Sequence, residues 1–192
     1  MGHPIVLDLE TQKAFHHTEH RKPEELGVSV VGVYSYETDK FRAFREHEFD
    51  ELFRLIERSS LIVGFNVARF DLPALQPYYV GSLEKFPVLD MLEDVKTAIG
   101  RRIALDEFAK ETLHAKKSGH GLMAINYFKE GKWDELISYC LDDVRITKAL
   151  YEYGKTHGKI YYQSPFGRRE VRVNWNGMPK QGGEEVNLTL GI

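Results

Sequence analysis

Asp8 and Glu10 stand two residues apart at the end of the apolar run Ile5-Val6-Leu7. On a strand that spacing puts both carboxylates on one face, about 7 Å apart along the chain. Like charges raise each other's pKa unless a cation sits between them, and hard divalent ions such as Mg²⁺ or Mn²⁺ prefer carboxylate oxygens. A third carboxylate, Asp71, closes the segment Asn66-Val67-Ala68-Arg69-Phe70-Asp71, directly after a second apolar run. Tyr139 and Asp143 are four apart in a long helical pattern, so they share a face with Cβ atoms ~5–6 Å apart. Two-metal phosphoryl transfer needs carboxylates from separate segments in this way: one ion generates hydroxide and the other, ~3.5–4 Å off, stabilises the leaving oxygen. Asp-x-Glu and Tyr-x-x-x-Asp alone are common and Asn-x-x-x-Phe-Asp arises in about a few per cent of chains, but all three in this order arise by chance in about one chain per thousand.

These side chains need a rigid frame. His3–Glu10 reads as a strand covered on both faces, because its apolar run is continuous. Gln12 to Glu25 is polar, contains Pro23 and reads as a loop. Val28–Tyr36 and Lys40–Arg45 flank Glu37-Thr38-Asp39 as a hairpin. Phe49–Arg58 carries a helical stripe, and Leu61–Phe65 and Val88-Leu89 are further strands. Asp71 reads as the cap of a helix that begins just after it, with Pro73 in its first turn. Gly100 stops a helix through Leu92, Val95 and Ile99; Ala104–Leu113, His120–Lys129 and Asp134–Tyr153 follow, the last bracketed by Gly131 and Gly154. This order predicts an α/β domain over residues 1–158, with a mixed central β-sheet flanked by helices. Alternating stretches around Ser164-Pro165-Phe166-Gly167 predict a C-terminal β-hairpin appendage over residues 159–192, ending in a loose tail at Gly182-Gly183-Glu184-Glu185.

With 192 residues, 42% hydrophobic and 29% charged, the chain suits one domain with a real core and is too apolar to be disordered. No apolar run approaches the ~18 residues of a membrane span. Met-Gly-His-Pro opens no secretory signal, and Val6 stands where a myristoylation site wants Ser or Thr. One cysteine, Cys140, excludes an intramolecular disulfide and a cysteine-rich zinc module. The expectation is a soluble cytoplasmic protein with no membrane partner. A net charge of −3 argues against coating nucleic acid through bulk positive charge, but not against gripping a phosphodiester through metal ions.

Asp8-Leu9-Glu10-Thr11, Asn66-Val67-Ala68-Arg69-Phe70-Asp71 and Tyr139-Cys140-Leu141-Asp142-Asp143 resemble the three exonuclease motifs of the DEDD superfamily. That superfamily comprises 3′→5′ exonucleases with a ribonuclease H-like fold. The tyrosine four residues before the last aspartate is similar to the DEDDy branch, which includes the proofreading domains of family B DNA polymerases and ribonuclease D. The other branch has histidine five residues before that aspartate, where this chain has Ser138. Over Pro4 to Tyr153 the chain is most similar to stand-alone predicted exonucleases of that fold.

The resemblance implies that Asp8 bridges two divalent ions, Mg²⁺ or Mn²⁺. It implies that Glu10 and Asp143 complete the nucleophile-side site, and that Asp71 holds the second ion. Tyr139 would orient the attacking water rather than remove its proton, because a free phenol has a pKa near 10. Asn66 and Phe70 would contact the terminal nucleotides, and Leu9 or Thr11 the 3′ end. The implied partner is single-stranded nucleic acid with a free 3′ end, DNA favoured and RNA possible, because a terminal nucleotide must leave its stack to reach ions in a cleft. An endonuclease or structure-specific nuclease on the same scaffold, and a non-catalytic nucleic-acid-binding module, are the alternatives. A helicase or other repair or processing partner is not legible in the sequence.

Other features carry blander readings beside the sharp ones. Asp143 is favoured over Asp142 because only it shares Tyr139's face, and Asp90 reads as structural. His16-His17-Thr18-Glu19-His20 fits a zinc-protease pattern, yet lies in a polar stretch rather than on a rigid helix. Gly154-Lys155-Thr156 reads as a helix terminus, and Cys140 as core. Lys116-Lys117-Ser118-Gly119-His120 and Arg168, Arg169 and Arg172 are phosphate contacts or solvated surface. Tyr161, Tyr162 and Phe166 either stack bases or pack the hairpin onto the domain.

Overall fold

The computed structural model describes residues 2–115 and 121–176. The apolar runs form a five-stranded sheet in the order β3-β2-β1-β4-β5. Its strands are β1 (Pro4–Thr11), β2 (Val28–Ser35), β3 (Lys40–Phe44), β4 (Leu61–Gly64) and β5 (Val88–Asp90). β2 runs antiparallel to β1 and β3, whereas β4 runs parallel to β1 and β5. This is the expected mixed sheet, with β1 at its centre and every residue of β2 buried.

The period-two geometry of β1 divides the core between the sheet's two faces. Ile5, Leu7 and Leu9 pack with Leu52 and Ile56 of α1 (Phe49–Arg58) and with Leu72 and Leu75 of α2 (Leu72–Leu75). Val6 packs on the other face with Val95 of α3 (Met91–Ile99) and with Val144 and Leu150 of α6 (Trp133–His157). Asp8 and Glu10 follow Val6 in the same alternation, so they emerge toward α6. The remaining helices are α4 (Leu105–Phe108), continued by a wide turn at Ala109–Leu113, α5 (Gly121–Lys129) and α6 (Trp133–His157).

Two expectations need correction. Asp71 is not a helix cap: its backbone is already helical (φ −67°, ψ −51°) and its side chain makes no cap bond. The helical path starts earlier, in a wide turn over Val67–Asp71 that runs straight into α2. Gly154 does not end α6 either. The helix continues to His157 and stops at Gly158, which is left-handed at φ +65°. Gly154 is needed for close approach instead, since a Cβ there would lie 2.3 Å from two ring carbons of Trp175. The Trp175 ring stacks on Tyr151, and its indole N–H donates to Asp94 Oδ2 at 2.7 Å.

Beyond α6, β6 (Lys159–Ser164) and β7 (Gly167–Arg172) form the expected antiparallel hairpin. Ile160, Val171, Val173 and Trp175 join the α3–α6 core, so the hairpin is packed onto the domain by buried side chains. His120, the Lys116–His120 segment and the Gly182–Glu185 tail lie outside the described residues. Among the described residues no helix is long and apolar enough to cross a membrane.

Candidate active site

The site begins at a missing side chain. Asp8 stands opposite Gly32 in the β1–β2 ladder. A Cβ on Gly32 would lie 2.8 Å from Val144 Cγ2 and 2.9 Å from Cys140 Sγ. Helix α6 therefore rests directly on the sheet beside Asp8, with Cys140 Sγ 3.7 Å from the Asp8 carbonyl oxygen. Residues 139 and 143 flank that contact on the helix, so the close approach brings Tyr139 and Asp143 to the end of β1. One carboxylate oxygen each from Asp8, Glu10 and Asp143 lies within 4.8 Å of the others. Tyr139 and Asp143 are buried, at 5% and 4% exposure. Asp142, the competitor, is at the surface and pairs with Arg145 at 2.6 Å.

Asp71 arrives from the other side of β1. It is 3% exposed, and its Oδ1 accepts the Leu9 N–H at 3.1 Å, tying the Val67–Asp71 turn to the strand between Asp8 and Glu10. Burial pushes the Asp71 carboxyl up to about 8; the Leu9 N–H pulls the other way, while the charges of Asp90 and Asp143 add to the rise. The turn itself is anchored by Asp90. The Asp90 carboxylate accepts the N–H groups of Asn66 (2.9 Å), Ala68 (3.0 Å), Leu92 (3.0 Å) and Glu93 (3.3 Å). It thus caps α3 and fixes the start of the turn at once, while Arg69 pairs with Glu93 at 3.0 Å. Asp90 is structural, and it acts on the site through Asp71.

Asp8, Glu10, Asp71, Tyr139 and Asp143 line one cavity of about 280 Å³, together with Leu9, Thr11 and Phe70. Leu9 contributes little side chain to it, being 4% exposed and packed in the α1–α2 core. The Thr11 hydroxyl donates to the Lys13 carbonyl at 2.9 Å. Asn66 does not line this cavity. Its backbone is left-handed (φ 72°) and its Oδ1 accepts a bond from Arg102 at 3.1 Å. Phe65 and Ile125 also line the cavity, although no sequence signal singled them out. Phe65 could have been noticed as the strand residue next to the Asn66 motif; Ile125 comes from a distant helix with no motif of its own. Phe15, from the polar loop, meets Phe70 edge-on at 5.9 Å between centroids. His16 and His17 sit in a single turn at Phe15–His17, not on the rigid helix that a zinc-protease pattern requires.

The donor set fits divalent cations on the chemistry of these residues. Every candidate ligand is a carboxylate, as hard ions prefer, and three of the oxygens already converge from two elements. The fourth carboxyl, Asp71, is driven toward its neutral form by burial, and a cation would favour the charged form.

Comparisons with known proteins agree with this architecture. The family model described as the RNase_H superfamily matches residues 6–154. The family B DNA polymerase from the hyperthermophilic archaeon Pyrobaculum calidifontis is similar in structure, with a TM-score of 0.60 and 18% identity over 79% of this chain and 24% of the polymerase. Trypanosoma brucei RNase D superposes with a TM-score of 0.58 and 21% identity, over 79% of this chain and 57% of that one. The same enzyme in complex with RNA U12 gives 0.58 and 20%, over 79% of this chain and 55% of that one. The chain thus spans about a quarter of the polymerase and little more than half of RNase D. No curated protein matches its sequence.

Proposed function

From the premise that this chain belongs to the ribonuclease H superfamily, we propose that it is a metal-dependent 3′→5′ exonuclease of the DEDDy type, hydrolysing phosphodiester bonds at the 3′ end of single-stranded nucleic acid. The observation that carries this reading is the convergence of Asp8, Glu10 and Asp143 within 4.8 Å, in the cavity that Asp71 and Tyr139 also line. Fold alone does not choose between a nuclease and a non-catalytic binding module; the clustered carboxylates support the nuclease reading.

In this reading Asp8, Glu10, Asp71 and Asp143 would hold two divalent ions, either Mg²⁺ or Mn²⁺. Bound there, the ions would supply the positive charge that lets water ionise near neutral pH and that offsets charge developing on the phosphate and leaving oxygen. Tyr139, buried one turn before Asp143, positions the attacking water with its hydroxyl. Phe70 offers an aromatic edge to the terminal base, and the β1 end at Leu9 and Thr11 borders the 3′ terminus. Asn66 acts at one remove, by fixing Arg102 and the turn that carries Asp71. A relative of similar fold has been solved with RNA U12, which supports an RNA substrate as well as the DNA favoured from sequence.

A time course with matched DNA and RNA single strands, labelled at either end and supplied with Mg²⁺ or Mn²⁺, tests the polarity, sugar preference and metal need together. Stepwise shortening from the 3′ end is expected. A closed circular strand should resist digestion, and its cleavage would replace the exonuclease reading with an endonuclease.

A further inference from the structure

The hairpin carries charge opposite to that of the chain. Residues 159–176 hold Lys159, Arg168, Arg169 and Arg172 against the lone carboxylate Glu170, in a protein of net charge −3. Part of that charge is spent internally: Lys159 pairs with Glu170 at 3.1 Å, and Arg168 donates to the Glu111 carbonyl at 2.8 Å while stacking on Tyr161. Besides Arg172, which stands across from Lys159, Arg169 is left over. It stands across from Tyr162 in the β6–β7 register, hence on the same face of the hairpin. Arg101, from the turn between α3 and α4, lies over the Tyr162 ring at 5.6 Å and reaches the Gln163 carbonyl at 3.5 Å. Arg102 holds Asn66. Arg101, Arg102 and Arg169 are all exposed, and among the described residues none has a carboxylate within ion-pairing distance.

Beneath this cationic surface, aromatic contacts run through the interior, by way of the fully buried Phe108, toward the acidic cavity. Tyr162 meets Phe108 at 6.2 Å, Phe108 meets Phe65 at 6.1 Å, and Phe65 lines the cavity. At the hairpin tip Phe166 is 85% exposed, an apolar ring with no packing role. Guanidinium groups without carboxylate partners, on the same arm as an exposed ring and, at Arg102, bonded to the residue next to cavity-lining Phe65, match a polyanion that also offers bases to stack on. We propose that Arg101, Arg102, Arg169 and Phe166 form a track that binds the single strand upstream of the 3′ end, so that the hairpin is a substrate-holding arm. The track takes its direction from the reading of the acidic cavity as the place where the strand ends.

The test is binding without catalysis. Fluorescence anisotropy in EDTA, with a 5′-labelled single strand of ~15 nucleotides, compares the wild-type chain with R101Q/R169Q. Loss of two phosphate contacts should weaken binding about tenfold or more and make the salt dependence shallower by roughly 1.4 in log–log slope. R101K/R169K, which keeps both charges, should retain the wild-type slope. F166S should weaken binding several-fold without changing it. Unaltered affinity and slope in R101Q/R169Q, with the thermal midpoint unchanged, would overturn the track. Digestion of a trinucleotide by the wild-type chain with Mn²⁺ is scored separately. If the trinucleotide survives, the nuclease reading fails and the binding result still decides the track; if it is cleaved, a negative binding result removes the track alone.

Discussion

Asp8 and Gly32 face each other across the β1–β2 ladder, and the second makes the first useful. With no side chain at position 32, Cys140 and Val144 occupy the space a Cβ would take, 2.9 and 2.8 Å away. The helix therefore sits low enough on the sheet for Asp143 to come within 4.8 Å of Asp8 and Glu10. Gly32→Ala should lift α6, costing about 1–3 kcal/mol as overpacking does. It should also cut hydrolysis by more than that loss of stability accounts for. Thermal unfolding and initial rates on one labelled strand, measured well below the midpoint, separate the two effects.

Asp71 ties stability to pH in a direction opposite to that of most carboxylates. Its folded pKa, about 8, lies above its ordinary value of 3.8. Between those values the unfolded chain has given up the proton that the folded chain retains, so in EDTA this group's contribution falls as pH rises and is fully lost above the folded value. Asp71→Asn keeps an oxygen for the Leu9 N–H and removes the titration. The metal-free variant should match the wild type near pH 4 and melt higher at pH 8, each ~1 kcal/mol of relief moving the midpoint by about 2–4 °C. A constant difference across that range would contradict the assignment.

Asp90 never enters the cavity yet should matter to it. Asp90→Ala leaves the N–H groups of Asn66, Ala68, Leu92 and Glu93 without their acceptor. Loss of a helix cap and of charged hydrogen bonds together should cost about 2–4 kcal/mol. Because the same turn delivers Asp71, activity at a temperature where the variant stays folded should fall as well. Melting curves and rates at that temperature check both parts.

What was legible in the sequence followed local periodicity. The continuous run before Asp8 placed β1, alternation put Asp8 and Glu10 on one face, and the i, i+4 spacing put Tyr139 beside Asp143 rather than Asp142. What escaped depended on contacts between distant segments. Asp71 looked like a cap because acid before Leu-Pro is a local capping signal, but its partner is Leu9, on another strand. Gly154 looked like a stop because glycine often ends helices, whereas Trp175 requires its bare backbone. Asn66 belongs to a motif, yet its side chain is engaged by Arg102, which no spacing rule connects to it.

Trp175 should behave as a keystone of the hairpin. Its ring packs on Gly154 and Tyr151 and its indole bonds Asp94, joining the chain after β7 to α6 and α3. Trp175→Ala should lower stability by about 3–5 kcal/mol. The acidic cavity draws no residue from this region, so hydrolysis of a trinucleotide should persist at low temperature. Denaturant unfolding alongside that assay is the check.

Tyr139 and the aspartates should separate in severity. Tyr139→Phe removes one hydroxyl and should slow hydrolysis by about a hundredfold to a thousandfold, as loss of one positioned hydrogen bond does. Loss of Asp8 or Asp143 should abolish it, and initial rates on one labelled strand check the ranking.

The most direct measurement is a digestion series with a 5′-end-labelled single strand and Mn²⁺, comparing the wild-type chain with Asp8→Asn and Asp143→Asn. Metal retention and folding are monitored on the same samples. A ladder shortening one nucleotide at a time from the 3′ end is expected for the wild type, and intact strand for both folded variants. A wild-type chain that leaves the strand whole, or a variant that digests it at the wild-type rate, would contradict the nuclease reading.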